Sequence, residues 1–501
     1  MALAMHIAEI NARDPLARST SAEKPLHAAA PIHTQAISVP VLTMAVRAAD
    51  FLLAAVAGAF AALALKTLLG SIPTGHLAIS TCIGAAAFVV AAGQSGCYDL
   101  AVLSRLEQSA KRLLAPLLIS GTAVIVAMFM LYDGTVPLRE WPIGFVAIGS
   151  VLILSFRLAL ANLIRHWRES GRLIRRVAVV GVSDFGAMFL QRLAAQPDLF
   201  QVAGVYDDRH SRIPEHLRHI AVQGGVEALL RASRTERIDM VVLALPLMAA
   251  ERINLILMQL GSLVADVFLT ADVAGMRYEG AQFTTIGANP VVAVDQRPIK
   301  DWQAVRKALF DRVLGTALLL LLLPVLLSVA LLIKLDSPGP VLFRQPRVGF
   351  DNRMFSIFKF RTMRADQADL LADRQTTRGD PRITRVGHWL RRYSLDELPQ
   401  LLNVLGGTMS LVGPRPHAPN TKAADRLFAD VVGQYTVRHR VKPGITGWAQ
   451  VNGWRGETRT EEQLRQRVRH DLDYIKNWSL WLDVKIIALT LMREVRSTTA
   501  F

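Results

Sequence analysis

Five stretches of this chain are so apolar and so long that they leave the fold few options. Near 42–69, 77–98, 113–132 and 142–164 the sequence is nearly free of charge. Each run is close to the roughly 20 residues a membrane-crossing helix needs. A fifth run, 313–333, has the same character much later in the chain. Backbone polar groups cannot stay unpaired in lipid, so runs of this length are predicted to be helical. A hydrophobic content of 51% fits that reading.

The basic residues supply the orientation. Arg13, Arg18, Lys24 and Arg47 precede the first run, and Arg105, Lys111 and Arg112 lie between the second and third. Arg165, Arg168, Arg172, Arg175 and Arg176 follow the fourth, whereas the other two loops hold little beyond Lys66 and Arg139. By the positive-inside rule both ends of this four-helix unit face the cytoplasm. Residues 1–40, rich in Ala, Pro, Ser, Thr and His, read as a disordered cytoplasmic tail, and 41–168 as four transmembrane helices. The net charge of +16 borders apolar runs, which favours anionic lipid headgroups and phosphorylated substrates over nucleic acid. Cys82 and Cys97 offer neither a disulfide framework nor a zinc site.

Residues 172–300 read as a Rossmann-like α/β domain. Strands are expected at 177–180, 202–206 and 240–245, with a helix from the first turn through Leu193. That turn runs from Gly181 to Gly186 with Ser183 where G-x-G-x-x-G has its middle glycine, so it is weak support for a dinucleotide. No bound cofactor is expected there.

The run 313–333 has basic residues at both ends, Arg306, Lys307 and Arg312 before it and Lys334, Arg344 and Arg347 after it. Pro324 sits in its middle, where it removes a helix hydrogen bond. The expectation is a re-entrant helix over 309–335, broken at Pro324, that enters the inner leaflet and returns. The competing reading is an ordinary fifth span. It opens a catalytic domain over 301–501.

Within that domain Ser394-Leu395-Asp396-Glu397-Leu398-Pro399-Gln400 sets two carboxylates at what reads as a helix start, with Ser394 and Glu397 as a capping box. Arg382, Arg385, Arg391 and Arg392 precede the pair, and Gly413-Pro414-Arg415-Pro416 follows. Carboxylates ringed by guanidinium groups suggest a site for phosphate and metal. Residues 355–363 alternate like a strand, with Lys359 and Arg361 on one face. Residues 472–491 read as one amphipathic helix lying in the membrane interface, with Trp478 and Trp481 at headgroup depth.

These residues resemble the bacterial sugar transferase family, the membrane-embedded polyprenyl-phosphate hexose-1-phosphate transferases. The resemblance covers 301–501 closely, through the Pro-broken run, Lys359-Phe-Arg361-Thr-Met, Asp380-Pro-Arg382-Ile-Thr, the Asp396-Glu397 segment, Gly413-Pro-Arg415-Pro and Lys442-Pro-Gly-Ile-Thr-Gly-Trp448. The leading helices and α/β domain match its long members. The stretch from Gly447 through Trp454 looks like the undecaprenyl-phosphate glucose phosphotransferases that start exopolysaccharide synthesis.

The resemblance implies transfer of glucose-1-phosphate from UDP-glucose to undecaprenyl phosphate, releasing UMP. It assigns the nucleophile to Asp396, Mg2+ to Asp396 and Glu397, and phosphate binding to Arg391 and Arg415. Lys359, Arg361 and Arg382 are further candidate phosphate contacts, and Asp380 a candidate beside the metal. The expected partners are a UDP-hexose, undecaprenyl phosphate and inner-membrane lipids, with no nucleic acid and with a homodimer left open. The alternatives are a galactose or N-acetylhexosamine donor, a membrane-anchored nucleotide-sugar oxidoreductase or epimerase, and a non-catalytic scaffold. The fold class expected is a membrane protein of α and α/β type: four N-terminal transmembrane helices, a Rossmann-like domain and a monotopic catalytic domain with a re-entrant helix, on the cytoplasmic face of the bacterial inner membrane.

Overall fold

The structure is a computed structural model. It describes residues 37–69, 74–131, 140–197, 199–209, 213–245, 249–270, 283–286, 289–364, 380–418, 421–423, 426–428, 435–455 and 460–496. The tail expected over 1–40 lies outside the described residues up to 36, and Val39 and Pro40 already open the first helix. Among the described residues five helices are long and apolar enough to cross a membrane.

Four of these lead the chain: α1 (Val39–Leu69), α2 (Thr74–Gln94), α3 (Leu106–Leu131) and α4 (Glu140–Glu169). α1 packs on α2 and α4, and α3 on the same two, around Phe88, Leu113, Val124, Trp141, Phe145 and Ile153. Only 28–44% of their most apolar windows is buried, and Leu118, Phe129 and Ile143 point outward. An apolar outer surface of that extent suits a bilayer rather than water. Inside, Arg157 of α4 pairs with Asp50 of α1 at 2.5 Å, both side chains wholly buried. Charges inside an apolar bundle are costly unless paired, so this pair ties α1 to α4.

The next region builds a six-stranded sheet in the order β2-β1-β3-β4-β6-β5. Its strands are β1 (Arg175–Val180), β2 (Phe200–Tyr206), β3 (Met240–Leu243), β4 (Asp266–Thr270), β5 (Phe283–Ile286) and β6 (Asn289–Asp295). β2, β1, β3 and β4 are parallel, and β6 and β5 are antiparallel additions. β3 and the stretch 177–180 of β1 are apolar throughout because both faces are covered. Val177, Val179, Met240 and Val242 face α5 (Asp184–Ala194), while Ala178, Val180, Val241 and Leu243 face α6 (Val226–Thr235) and α7 (Ala250–Leu260).

The remaining long helix, α8 (Asp301–Asp336), corrects an expectation. The backbone stays helical through Pro324, so there is no helix–break–helix. Proline withdraws a single donor, and the Ser328 hydroxyl donates to the Pro324 carbonyl at 2.9 Å. Packing on both halves maintains the rest. Leu314, Leu318 and Leu322 join the core around Val404, Val412 and Tyr474, while Leu326, Val329 and Ile333 pack on Phe360 and Leu390.

Both ends of α8 are also held by the same folded region. Near its start Lys307 donates to Asp483 at 2.7 Å and to the Val412 carbonyl at 3.1 Å, and Asp311 accepts from the Leu411 amide. At its end Arg361 donates to the carbonyls of Ser337 and Pro338, each at 2.6 Å.

The single amphipathic helix expected over 472–491 is two helices, α11 (Glu461–Lys476) and α12 (Leu480–Arg496), split at 477–479. The Ser479 hydroxyl restarts the second by accepting from the Leu482 amide at 3.1 Å. Asp483 and Ile486 are fully buried, so one face of α12 belongs to the protein core, while Trp481 stays exposed.

Candidate active site

The site grows from a hairpin and a tight turn. β7 (Leu342–Val348) and β8 (Met354–Phe360) form the antiparallel hairpin. A short helix, α9 (Arg385–Arg392), leads into Ser394 in the left-handed region (φ 54°). A 3-10 turn, Leu395–Gln400, follows and continues as α10 (Leu401–Leu405). Pro399 lacks an amide proton, which fits a tight first turn that only becomes α-helical beyond it.

The expected capping box does not form. Ser394 makes no side-chain cap, and its hydroxyl accepts from Arg455 at 2.8 Å. Glu397 instead turns toward two cations, a stronger pairing than a neutral amide offers. Leu395 and Leu398 anchor the turn against Phe360 and Leu390. Asn403, buried and not foreseen from sequence, fixes α10 to β8 by accepting from the Phe358 amide at 2.9 Å and donating to the Ser356 carbonyl at 2.8 Å. That sets the distance from the turn to Lys359.

Lys359 donates to Glu397 Oε1 at 2.8 Å and lies 4.0 Å from Asp396. Arg415 forks onto both Glu397 oxygens, with one contact at 2.8 Å. Asp396 and Glu397 each expose only 13% of their side chains. Burial pushes the Glu397 carboxyl up, but Arg415 and Lys359 outweigh it and hold it well below the usual range. Asp396 fares differently: burial raises it, with Glu397 adding to the rise and Lys359, Arg391 and Arg415 opposing. Among the described residues no hydrogen bond reaches the Asp396 carboxylate. Of the two carboxylates it is the one without a hydrogen-bond partner among the described residues.

Arg391 stands within electrostatic reach of Asp396, held by its Nε donating to the Thr362 hydroxyl at 2.9 Å. Gly387 makes that approach possible, since a Cβ there would lie 2.1 Å from the Thr362 carbonyl. Two expected phosphate contacts are engaged elsewhere. β8 ends at Phe360, so Arg361 leaves the alternation that would pair it with Lys359, and its buried guanidinium caps α8. Arg382 forks onto Asp380, whose carboxyl that contact lowers to about 2.

Behind Arg415 lies a buried layer that sequence reasoning missed. Arg438 pairs with Asp471 at 2.8 Å and donates to the Arg415 carbonyl at 2.6 Å. His417 meets Arg438 through Nδ1 and Arg467 through Nε2. Burial and these guanidinium groups push its pKa well down, so it is neutral. The basic run Arg438-His439-Arg440 beside Lys442-Pro443 was the available signal.

Among the described residues no cluster of three or more His, Cys, Asp or Glu side chains could hold a metal. Mg2+, however, commonly takes one or two carboxylates and fills its shell with water and substrate phosphate. Three N–H contacts occupy about three of the four lone-pair positions on Glu397. With Asp396 uncommitted, the pair fits such an ion.

The α/β domain's turn is built differently. Gly181 (φ 101°) approaches so closely that a Cβ would lie 2.9 Å from the Ala244 carbonyl. Asp207, at the end of β2, accepts from the amides of Val182 and Arg209 and from Arg252. Asp207 is thus held by the turn backbone and by a guanidinium from α7.

Residues 302–497 match the family described as bacterial sugar transferase, and 94–271 the one described as CoA-binding domain. The chain is 39% identical over 438 residues to an undecaprenyl-phosphate glucose phosphotransferase of Komagataeibacter xylinus, covering 85% of this chain and 79% of the relative. The chain belongs to the bacterial sugar transferase family. A second relative of this sugar transferase is a UDP-glucose:undecaprenyl-phosphate glucose-1-phosphate transferase of Escherichia coli (strain K12), 40% identical over 335 residues, 67% of this chain and 70% of the relative. A third, from Aeromonas hydrophila, is a UDP-N-acetylgalactosamine-undecaprenyl-phosphate N-acetylgalactosaminephosphotransferase. It is 46% identical over 173 residues, 34% of this chain and 38% of the relative.

Proposed function

We propose that this sugar transferase moves glucose-1-phosphate from UDP-glucose to undecaprenyl phosphate, giving undecaprenyl-diphosphate-glucose and UMP, as the first membrane step of exopolysaccharide synthesis. The observation that carries the reading is the unequal pair: Glu397 hydrogen-bonded by Lys359 and Arg415, with Asp396 beside it, 4.0 Å from Lys359 and accepting no hydrogen bond among the described residues. Direct transfer would press a lipid phosphate dianion against a diphosphate dianion. At about 6 Å and an effective dielectric near 20 that repulsion is on the order of 10 kcal/mol. Two half-reactions avoid it.

In the first, an Asp396 oxygen attacks the phosphorus that carries the sugar, and the bond from that phosphorus to the oxygen of UMP breaks. UMP leaves. In the second, an oxygen of the lipid phosphate attacks the same phosphorus and the bond to Asp396 breaks, restoring the carboxylate. Lys359 and Arg391 screen the negative charge at Asp396, and Arg415 orients Glu397 and faces the phosphoryl oxygens. Mg2+ held by Asp396 and Glu397 would supply Lewis-acid stabilisation of the phosphate charge.

How α8 is held supports an entry into one leaflet rather than a full crossing. At about 54 Å it exceeds the roughly 30 Å hydrocarbon core. Yet Lys307 near one end and Ser337 beyond the other are bound by the region that contains Asp396. A full crossing would draw that region through the bilayer. An entry into the cytoplasmic leaflet keeps the site beside both the lipid phosphate and cytosolic UDP-sugar.

The test uses purified protein with Mg2+ and UDP-glucose radiolabelled in the sugar, without lipid acceptor. Label should remain covalently on wild-type protein and be discharged by undecaprenyl phosphate. Absence of label with UDP-glucose but its presence with UDP-N-acetylgalactosamine would move the donor to the hexosamine, the reading that the Aeromonas relative favours. Absence with every donor, despite turnover once lipid is added, would refute the two-step route.

A further inference from the structure

Beyond the residues that the sequence points to, the hairpin carries another cation toward the site. On an antiparallel pair, directly opposed residues share a face and alternate ones repeat it. Lys359 opposes Phe343, Ile357 opposes Gln345 and Phe355 opposes Arg347. Arg347 therefore shares the face that delivers Lys359 to Glu397, four residues away along the hairpin.

Its neighbourhood is fixed from a second direction. The amide of Val348 donates to the His417 carbonyl at 3.2 Å, which stitches the end of β7 to the segment Arg415-Pro416-His417. Arg347 and Arg415 thus stand on adjoining strands of backbone, and Arg415 reaches Glu397 from there.

The partners of Arg347 do not match its charge. Its NH2 donates to the neutral Gln345 side chain at 2.5 Å, and its Nε is buried without a partner. Among the described residues no carboxylate pairs with it, although the Arg415 guanidinium is one of its nearest charges. Two like charges held together, one lacking a counter-ion, leave a place for an anion.

We infer that Arg347 is a further phosphate-binding residue of the transferase, gripping with Arg415 the phosphate of the donor that departs as UMP. This rests on the function proposed above. The side of the site decides which phosphate. Lys359 comes within 4.0 Å of Asp396, whereas Arg347 lies four residues farther along the same hairpin face, where Val348 is stitched to His417 beside Arg415. An in-line displacement puts attacking and leaving oxygens on opposite sides of phosphorus. Lys359 and Arg391 serve the Asp396 side, and Arg347 the far side.

The experiment compares wild type, Arg347→Gln and Arg347→Lys as full-length protein in lipid particles. It measures the KM for UDP-glucose, product inhibition by UMP, the KM for undecaprenyl phosphate and thermal unfolding without ligand. Arg347→Gln should raise the KM for UDP-glucose and weaken UMP inhibition by about tenfold or more, the size of a lost charge-assisted contact. The lipid KM should stay within about twofold, Arg347→Lys should recover part of the loss, and the melting temperature should hold. Unchanged UMP inhibition in Arg347→Gln, with wild type turning over, would overturn the inference alone. So would a lower melting temperature with equal losses for both variants, because that marks a packing role. Wild type that neither turns over UDP-glucose nor binds UMP would instead sink the transferase reading, and this inference with it.

Discussion

Two turns in this protein bring a carboxylate together with arginine, one of them through backbone amides as well and the other through a lysine. At the end of β2, Asp207 accepts from Val182, Arg209 and Arg252, and although burial would raise its pKa, those contacts hold it below the usual range. In the 3-10 turn Glu397 is held by the Lys359 and Arg415 side chains, while the neighbouring Asp396 accepts no hydrogen bond among the described residues. One turn uses its acid to hold itself in shape. The other, in the mechanism proposed above, divides the tasks, one carboxylate fixing the cations and the next left for chemistry. Neither burial nor charge separates the two regions; the unengaged oxygen does.

Replacing Asp396 by Asn tests that division most severely. Loss of a covalent nucleophile should cut UMP release by about a thousandfold or more. Because burial raises the Asp396 carboxyl, its ionised form is disfavoured in the fold, so the variant should unfold at an equal or higher temperature at neutral pH. Wild-type rates with Asp396→Asn would end the comparison.

Glu397→Gln should cost less activity, about a hundredfold, but more stability. It leaves Lys359 and Arg415 facing a neutral amide, and breaking a buried pair of this kind costs about 2–4 kcal/mol. Thermal unfolding of the two variants side by side checks the sign. A more stable Glu397→Gln would reverse the roles assigned here.

The pH dependence should separate the two carboxylates. Asp396 must be ionised to attack, so kcat/KM should fall as pH drops through a midpoint above the ordinary 3.8. Glu397 is depressed, so its stabilisation is complete above its unfolded value of 4.5 and is lost only as pH falls through its lower folded value. Activity should therefore vanish at a higher pH than the one at which the fold gives way. Coincident losses would show that the limb reports unfolding.

The smallest effect is expected in the other turn. Asp207→Ala should lower stability by about 1–3 kcal/mol through the unpaired amides it leaves, with kcat unchanged. Titration of the variant and of wild type with NAD followed by fluorescence should show no binding in either. Saturable binding would revive an oxidoreductase reading of the α/β region.

Much of this was legible in the chain. Uninterrupted apolar runs allow only helices in lipid, so the four leading helices could be located, with ends up to seven residues away from those expected. The β-branched runs gave β1, β2 and β3 because a parallel sheet covered on both faces needs them. Asp396, Glu397, Lys359, Arg391 and Arg415 stood out as charge set on turn-rich segments, and the fold brings all five to one place.

What the chain could not announce depends on contacts between distant residues. Pro324 signals a break, yet packing of both halves of α8 keeps it helical. Arg361 alternates with Lys359 in sequence, but the strand stops one residue short and the guanidinium goes to a helix end 24 residues earlier. Glu397 fits a capping box until Lys359 and Arg415 compete for it. Periodicity and residue type are local properties, so sequence alone determined the helices, the strands and the reservoir of charged groups. Which cation meets Glu397 is set by side chains up to 38 positions away, and only the tertiary structure decided it.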